Sequence, residues 1–146
     1  SGKGSEMCSS IDEISYVFSK IEDKDKVFVC LDTCHMNDSG VDLKKFDEFL
    51  DEFDKKIGIE KIKCVHVNDS HNFVGVKKDR HTNIGYGTIG FSVLNDIVHN
   101  KRLENIPKIL ETPTIKIGQL EGVSPYKYEI ENFRNNKFKD FIKYNE

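Results

Sequence analysis

The chain has 146 residues, a net charge of −3, 37% apolar residues and 32% charged residues. This length suits one domain with a sizeable core, and the composition argues against disorder. No apolar run reaches about 18 residues and the N-terminus has no apolar signal segment, so the sequence predicts no membrane span and no membrane partner. The charge balance alone neither favours nor excludes nucleic acid as a partner.

The N-terminal segment combines a Gly/Ser-rich loop with one predicted helix. Residues 1–9 follow no structural element, so we expect the chain to be the C-terminal portion of a longer protein. Ser10 and Glu13 have the spacing of a capping box, and apolar residues recur every three or four positions up to Ile21. This pattern predicts an amphipathic helix that ends near Lys20.

An apolar run at residues 27–31 ends abruptly at Asp32, and His35 follows three positions later. Four to five consecutive apolar residues suit a strand that is covered on both faces, as in a parallel sheet. Residues 36–40 are rich in turn formers and predict a polar loop. From about Asp42 an apolar stripe at helical spacing predicts a helix packed on the sheet; it contains Phe46, Phe49, Leu50, Phe53 and Ile57.

Two later segments repeat this pattern of an apolar run followed by a side chain that can bind a metal. The run at residues 61–67 contains His66, and the run at residues 108–110 ends at Glu111. Because the carboxyl ends of parallel strands meet at one edge of an α/β fold, we expect both side chains to lie close to Asp32 and His35. The sequence therefore predicts a metal site at the strand ends.

The segment between residues 68 and 87 is a long polar loop, and long loops without their own structure are usually functional or disordered. Asp79 and His81 can point the same way because alternate residues of an extended segment share a side. We interpret this pair as a further metal position. A solvated charged loop is the alternative interpretation, since the pair lies among Lys77, Lys78 and Arg80.

The C-terminal part contains a short predicted helix at residues 90–99 and another that opens at Pro125. Residues 132–146 are polar and rich in Lys and Asn. We treat residues 1–146 as one partial domain and residues 124–146 as a C-terminal helical tail.

The cysteines form no Cys-x-x-Cys pair, and Cys30 and Cys64 lie within apolar runs where a thiol behaves as a small hydrophobe. These cysteine positions predict a reduced, intracellular protein, but they do not distinguish nucleus, organelle or bacterial cytoplasm. A zinc site that uses Cys34 with His35 and His66 is an alternative, although structural zinc sites usually have paired cysteines at short spacing.

Several motifs resemble the C-terminal half of the endonuclease IV family of apurinic/apyrimidinic endonucleases. They cover most of the chain and are Gly2-Lys-Gly-Ser5, Leu31-Asp-Thr-Cys-His35, Val65-His-Val-Asn-Asp-Ser70, Lys78-Asp-Arg-His81, Asn83-Ile-Gly85, Gly87-x-Ile-Gly90 and Pro107-x-Ile-Leu-Glu-Thr-Pro113. The resemblance implies part of a (β/α)8 TIM barrel with parallel strands. It also implies a trinuclear zinc site that cleaves double-stranded DNA on the 5′ side of abasic sites, in base excision repair.

The resemblance also assigns roles to individual residues. It places one zinc on Asp32, His66 and Glu111, of which the two carboxylates are the predicted catalytic residues, and another zinc on His35, Asp79 and His81. The family has a bridging glutamate and two histidines in earlier strands that this chain lacks. We therefore expect at most two of three zinc sites to be encoded here, partly or wholly, and the isolated chain to be inactive.

The surrounding residues have predicted supporting roles. Asn68 and Ser70 are expected to orient the metal ligands through hydrogen bonds. Arg80, Lys77 and Lys78 are candidates for contacts to DNA phosphates, which position a duplex without reading its sequence.

The sequence is also compatible with two alternative interpretations. Sugar isomerases and epimerases also carry Asp, Glu and His at barrel strand ends around a divalent metal, but Asp79 and His81 have no obvious role in such a site. Alternatively, the chain is a non-catalytic fragment that binds zinc and self-associates through exposed sheet edges.

Overall fold

Alternating strands and helices build the chain, and the computed structural model describes residues 1–142. The helices and strands, in chain order, are α1 (Ile11–Lys20), β1 (Val29–Asp32), α2 (Thr33–Ser39), α3 (Phe46–Lys56), β2 (Ile62–His66), β3 (Asp69–Ser70), β4 (His81–Thr82), α4 (Phe91–Val98), β5 (Lys108–Ile109), β6 (Ile115–Ile117), β7 (Leu120–Val123) and α5 (Tyr126–Arg134). Single 3-10 turns lie at Lys24–Lys26, Leu43–Lys45, Ile59–Lys61 and Lys101–Leu103. Within the described residues, no helix is both long enough and apolar enough to cross a bilayer.

The central sheet has the strand order β1-β2-β5, and both strand pairs are parallel. The register places Asp32 beside His66 and His66 beside Ile109. The predicted strand at residues 108–110 is observed as the two-residue strand β5. Because the three strands run in one direction, their carboxyl ends share one edge of the sheet.

The core lies between one face of this sheet and the helices. Leu31 and Val65 point towards it from β1 and β2, and Phe46, Leu50 and Phe53 form the buried face of α3 as the apolar stripe predicted. Neighbouring residues on the strands alternate between the two faces. The opposite face is more open, since Cys30 and Ile109 are exposed and Cys64 is half-buried.

Helix α1 begins as the sequence predicts. The Ser10 hydroxyl accepts a hydrogen bond from the Glu13 backbone N–H at 3.2 Å. The Glu13 carboxylate turns back to Ser9, where it accepts from both the backbone N–H and the hydroxyl. The reciprocal bond of the capping box is therefore made one residue earlier than the spacing suggests.

The prediction of a polar loop at residues 36–40 is wrong, because α2 continues to Ser39. Asp32 is its N-cap and accepts a hydrogen bond from the His35 N–H at 3.0 Å. Gly40, at φ +110°, ends the helix in the left-handed conformation that glycine adopts without strain. Asn37 and Asp38, which have turn-forming side chains, are buried within α2 and bond to distant segments instead.

The long polar loop has structure of its own. Strands β3 and β4 pair antiparallel within it, with Ser70 beside His81. The chain between these strands is attached to α2, because the Gly75 and Lys77 N–H groups donate to the Asn37 and Asp38 carbonyls, each at 2.9 Å. The loop is thereby held against the end of the central sheet.

The C-terminal segment contains a hairpin that the sequence did not reveal, formed by β6 and β7. Helix α5 then begins directly after Pro125, as predicted. The helical part of the expected tail is Tyr126–Arg134, and residues 135–142 follow without further helix. Residues 143–146, the end of that tail, lie outside the described residues.

Candidate metal centre

The structure brings the six predicted ligands together at the carboxyl end of the central sheet. Asp32 and His66 are the last residues of β1 and β2. His35 lies in the first turn of α2, and Glu111 follows β5 by two residues. Asp79 and His81 come from the loop that ends in β4.

Three of these ligands form a group at the ends of the three parallel strands. The Nδ1 atom of His66 lies 2.9 Å from Glu111 Oε2 and 3.6 Å from Asp32 Oδ2. One donor atom from each residue lies within 4.8 Å of the other two. Imidazole and carboxylate groups at this spacing can share one divalent ion.

The other three ligands meet around Asp79. Its two carboxylate oxygens lie 3.1 Å from His35 Nε2 and 3.3 Å from His81 Nε2. The two imidazole rings are 5.7 Å apart between centroids. This arrangement places Asp79 and His81 on the same side, as expected for alternate residues of an extended segment.

Asp32 lies between the two groups. Its Oδ2 atom is 3.8 Å from His81 Nε2, and donor atoms of Asp32, His35 and His81 form a second set within 4.8 Å. The six ligands therefore form one continuous cluster of three carboxylates and three imidazoles.

His81 gives the strongest indication that the cluster binds a cation. Its Nδ1 lies 3.2 Å from the Glu111 carbonyl oxygen and donates a hydrogen bond to it, because a carbonyl oxygen can only accept. Nε2 is buried without a hydrogen-bond partner among the described residues, and it faces the carboxylates of Asp32 and Asp79. A buried ring nitrogen without a partner that faces two carboxylates marks a point where a positive charge is favourable, and a metal ion held by these groups would supply it. The donor set therefore fits a divalent metal such as zinc.

Asn68 connects the ligands of all three strands. Its amide nitrogen donates to Asp32 Oδ2 at 3.1 Å, and its amide oxygen accepts from the Glu111 backbone N–H at 2.8 Å. Its backbone exchanges two hydrogen bonds with the Thr33 hydroxyl. Asn68 is fully buried, so these contacts fix the orientation of the Asp32 carboxylate and the position of the Glu111 backbone.

Ser70 supports the centre less directly. Its hydroxyl donates to Asp38 Oδ1 at 2.8 Å, and Asp38 Oδ2 accepts from the Asn72 amide at 3.0 Å. Ser70 also pairs with His81 between β3 and β4. It therefore positions the ligand loop rather than a ligand side chain. Sequence reasoning did not single out Asp38, which lies in the segment interpreted as a polar loop.

Asp69 organises the loop that follows β4. Its buried carboxylate accepts hydrogen bonds from the backbone N–H groups of residues 70, 85, 87, 89 and 90. A Cβ atom on Gly87 would collide with this carboxylate, which explains the glycine. Burial raises the pKa of Asp69, while the backbone N–H bonds oppose the shift.

Glu129 joins α5 to the same region. Its Oε1 accepts from the Ile84 N–H at 3.0 Å and the Asn83 amide at 3.3 Å, and its Oε2 accepts from the Thr112 hydroxyl at 2.6 Å. The side chain is fully buried, and burial raises the pKa of its carboxyl group. Glu129 was not predicted from the sequence, where it is only a charged residue within the first turn of a predicted helix.

Cys34 lies beside the second ligand group rather than beside His66. Its Sγ comes within 4.8 Å of donor atoms of Asp79 and His81. The side chain is fully buried, and burial raises the pKa of its thiol to about 12. The three predicted phosphate contacts, Lys77, Lys78 and Arg80, are exposed on the loop that carries Asp79.

The fold is that of an α/β protein of the TIM-barrel type, and the cluster places candidate metal ligands at its strand ends. A family model described as "Xylose isomerase-like TIM barrel" matches residues 1–136, and the chain belongs to that family. The predicted fold class, part of a parallel α/β barrel, is confirmed.

Similar proteins narrow this class further. The chain is 46% identical over 138 residues to a probable endonuclease 4 of Mycoplasma capricolum, covering 94% of this chain and 46% of that protein. It is 47% identical over 143 residues to a probable endonuclease 4 of Staphylococcus saprophyticus, covering 97% of this chain and 48% of that protein. The crystal structure of endonuclease IV from Thermus thermophilus matches with a TM-score of 0.73 and 30% identity, over 92% of this chain and 46% of that chain. These matches confirm the resemblance to endonuclease IV, and the chain spans about half the length of the curated relatives it matches.

Proposed function

We propose that the whole protein is a zinc-dependent endonuclease that hydrolyses the DNA phosphodiester on the 5′ side of an abasic site. This chain supplies the C-terminal half of its barrel. The observation that carries the proposal is the buried Nε2 of His81, directed at two carboxylates without a hydrogen-bond partner in residues 1–142. The endonuclease names of the relatives support the reaction class.

Phosphodiester hydrolysis needs a nucleophilic water near neutral pH and compensation of negative charge on the attacking and leaving oxygens. Bound zinc would supply the nucleophilic water and would compensate the negative charge on these oxygens. Asp32 and Glu111 would hold the ion through carboxylate oxygens, and His66 would complete their group through its ring. Asn68 keeps Asp32 oriented while its amide oxygen fixes the backbone at Glu111. Asp79, His35 and His81 would hold a second ion.

We propose that the exposed loop beside this cluster binds the DNA backbone. Lys77, Lys78 and Arg80 are exposed and adjoin Asp79 in the chain, so cations and metal ligands belong to the same segment. Contacts of this kind neutralise phosphates and set the position of the duplex.

We further propose that the isolated chain is inactive and self-associates. Strands β1 and β5 are both edges of the described sheet, with unpaired backbone groups available to another strand. A rising sedimentation coefficient with concentration would support self-association.

Sugar isomerisation is the second candidate, favoured by the description of the matching family model. The contacts of Asp79 with His35 and His81 favour the nuclease, because they provide a second ligand group away from the strand-end triad.

The test is incision of a duplex that contains one abasic site by the full-length protein and by this chain alone. We expect the full-length protein to cut on the 5′ side of the lesion, to lose activity with a chelator and to regain it with zinc. His81→Ala should abolish cutting, whereas His99→Ala, at an exposed histidine that caps α4, should not. Failure to cut abasic DNA, combined with metal-dependent conversion of an aldose, would favour the isomerase.

A further inference from the structure

A second set of metal-binding atoms lies on the open face of the central sheet. The Sγ atoms of Cys30 and Cys64 and one ring nitrogen of His66 lie within 4.8 Å of one another. Cys30 and Cys64 are register partners on β1 and β2. Each also lies two residues before a ligand of the first centre, so alternation along the strands directs both thiols to the face that carries Asp32 and His66.

The chemistry of this set differs from that of the first centre. Thiolates are soft ligands that favour thiophilic ions, whereas carboxylates favour harder ones. Two ligands of a tetrahedral ion at about 2.3 Å lie roughly 3.8 Å apart, so donor atoms within 4.8 Å need only a small movement to bind one. Two cysteines and one histidine provide three of four tetrahedral positions and leave the fourth for water.

Within residues 1–142, one of the two thiols can be reached from solvent. Cys30 is exposed and Cys64 is half-buried in the described structure. A cleft of about 560 Å³ runs beside β1 and is lined by Cys30, Asp32 and residues of α1. An ion can therefore reach the Cys30 thiol from this cleft, whereas Cys64 and His66 do not line it.

We propose that Cys30, Cys64 and His66 bind one thiophilic divalent ion, such as Cd²⁺ or Zn²⁺. The site is next to the carboxylate and imidazole cluster and shares His66 with it. The shared imidazole couples the two sites, so an ion on the thiolates competes for a ligand of the Asp32 and Glu111 group. The proposal does not depend on the reaction that the protein catalyses.

The test is titration of the reduced, metal-free full chain with Cd²⁺ alone, followed by the ultraviolet thiolate-to-cadmium charge-transfer band. We expect one equivalent to saturate the band. Cys30→Ser and Cys64→Ser should each remove most of it, and His66→Ala should weaken cadmium binding while the band per bound ion persists. Cys8→Ser, at an exposed cysteine outside the set, should leave the titration unchanged.

Cys34 provides the discriminating control, because its Sγ lies near Asp79 and His81. A band that disappears in Cys34→Ser but survives in Cys30→Ser and Cys64→Ser would overturn the proposal and assign the thiolate contact to Cys34. The Cys8→Ser/Cys34→Ser double variant keeps only the proposed thiol pair, and it must still show the band. Absence of a band in the wild-type chain would also overturn the proposal, and circular dichroism of each variant checks that it is folded.

Discussion

At the scale of single residues, Asp32 determines how the metal ligands are grouped. The family resemblance assigns it to one zinc with His66 and Glu111. In the structure its Oδ2 atom lies 3.6 Å from His66 Nδ1 and 3.8 Å from His81 Nε2, so it adjoins ligands of both groups. Removal of Asp32 should therefore affect both metal positions.

We predict a specific pattern of zinc loss for three alanine variants. Glu111→Ala should lower zinc at the strand-end group alone, and Asp79→Ala should lower it at the group of His35 and His81 alone. Asp32→Ala should reduce both, because its carboxylate lies between them. Elemental analysis of zinc per chain, after removal of loosely held metal, measures the pattern. Equal loss in all three variants, with the fold intact, would contradict two distinguishable groups.

Asn68 is predicted to control metal affinity without binding the metal. Asn68→Ala removes the hydrogen bonds to the Asp32 carboxylate and the Glu111 N–H, so the ligands lose their fixed orientation. We expect zinc affinity to fall by about 10- to 100-fold. Competition with a chelator measures the affinity. Asn100→Ala, at the cap of a distant 3-10 turn, should not change it.

At the scale of elements, Asp69 holds the loop after β4 in place. In Asp69→Asn one carboxylate oxygen becomes an amide N–H₂ group, which cannot accept from the buried backbone donors. Each donor left without a partner costs about 1–3 kcal/mol, so the free energy of unfolding should fall by at least about 2 kcal/mol. Urea unfolding measures this loss, and hydrogen exchange should accelerate at Gly85 and Gly87. Asp96→Asn, on the exposed side of α4, should change stability by less than about 0.5 kcal/mol.

We predict that the Glu129 carboxyl group, which attaches α5 to the rest of the fold, makes the free energy of unfolding depend on pH. Burial raises the pKa of its carboxyl above the ordinary value of 4.5, so the folded state binds the proton more tightly than the unfolded state. The resulting stability is present in acid and declines as pH rises from 4.5 through the folded pKa, by at most about 1.4 kcal/mol per pH unit. Glu129→Gln removes this decline, since the Thr112 hydroxyl can reverse its hydrogen bond.

The measurement is the difference in unfolding free energy between Glu129→Gln and wild type, obtained by urea titration across this pH range. As pH rises, Glu129→Gln should become more stable relative to wild type. Glu13→Gln is the matched control, because hydrogen bonds from Ser9 lower the pKa of Glu13. Because the lowered pKa of Glu13 lies below the ordinary value of 4.5, its stability difference should change in favour of wild type only as pH rises towards 4.5, and it should stay level across the range in which Glu129 titrates. Parallel behaviour of the two variants would refute the role of burial at Glu129.

The local pattern of the chain predicted most elements, and tertiary contacts explain the ones it missed. The stripe of Phe46, Leu50 and Phe53 identified α3 because its spacing matches one helical face. Asn37 and Asp38 favour turns when considered alone, yet in α2 their side chains bond to Asn72 and Ser70. Strands β6 and β7 are only three and four residues long, too short for a clear alternation.

The six candidate ligands could be predicted from the sequence because each follows an apolar run or belongs to the Asp-x-His pair, and the structure places them close together. The hydrogen bonds between segments were not visible. Asn68 contacts the Glu111 backbone 43 positions away, and Glu129 contacts Ile84 45 positions away. Such pairs depend on the strand order β1-β2-β5, which no single segment encodes.

At the scale of the whole molecule, the cluster concentrates three carboxylates that repel one another without a cation. We predict that zinc raises the thermal midpoint of the chain. An ion that binds only the folded state stabilises it by about 2.7 kcal/mol at roughly 100 times its dissociation constant. Differential scanning calorimetry with and without zinc measures the shift. The Asp79→Ala/Glu111→Ala double variant should show a much smaller shift, and an equal shift would place the stabilising zinc elsewhere.

The contacts of Glu111 also bear on how the protein is made. Its N–H donates to the Asn68 side chain, and its carbonyl accepts from the ring of His81. One residue late in the chain therefore holds two earlier segments, those of Asn68 and His81, in place. The ribosome completes Asp32, His66 and His81 before Glu111 exists. In the proposed metal centre, a growing chain therefore presents single candidate ligands that would each bind a metal weakly, and all six can act together only after translation has passed Glu111.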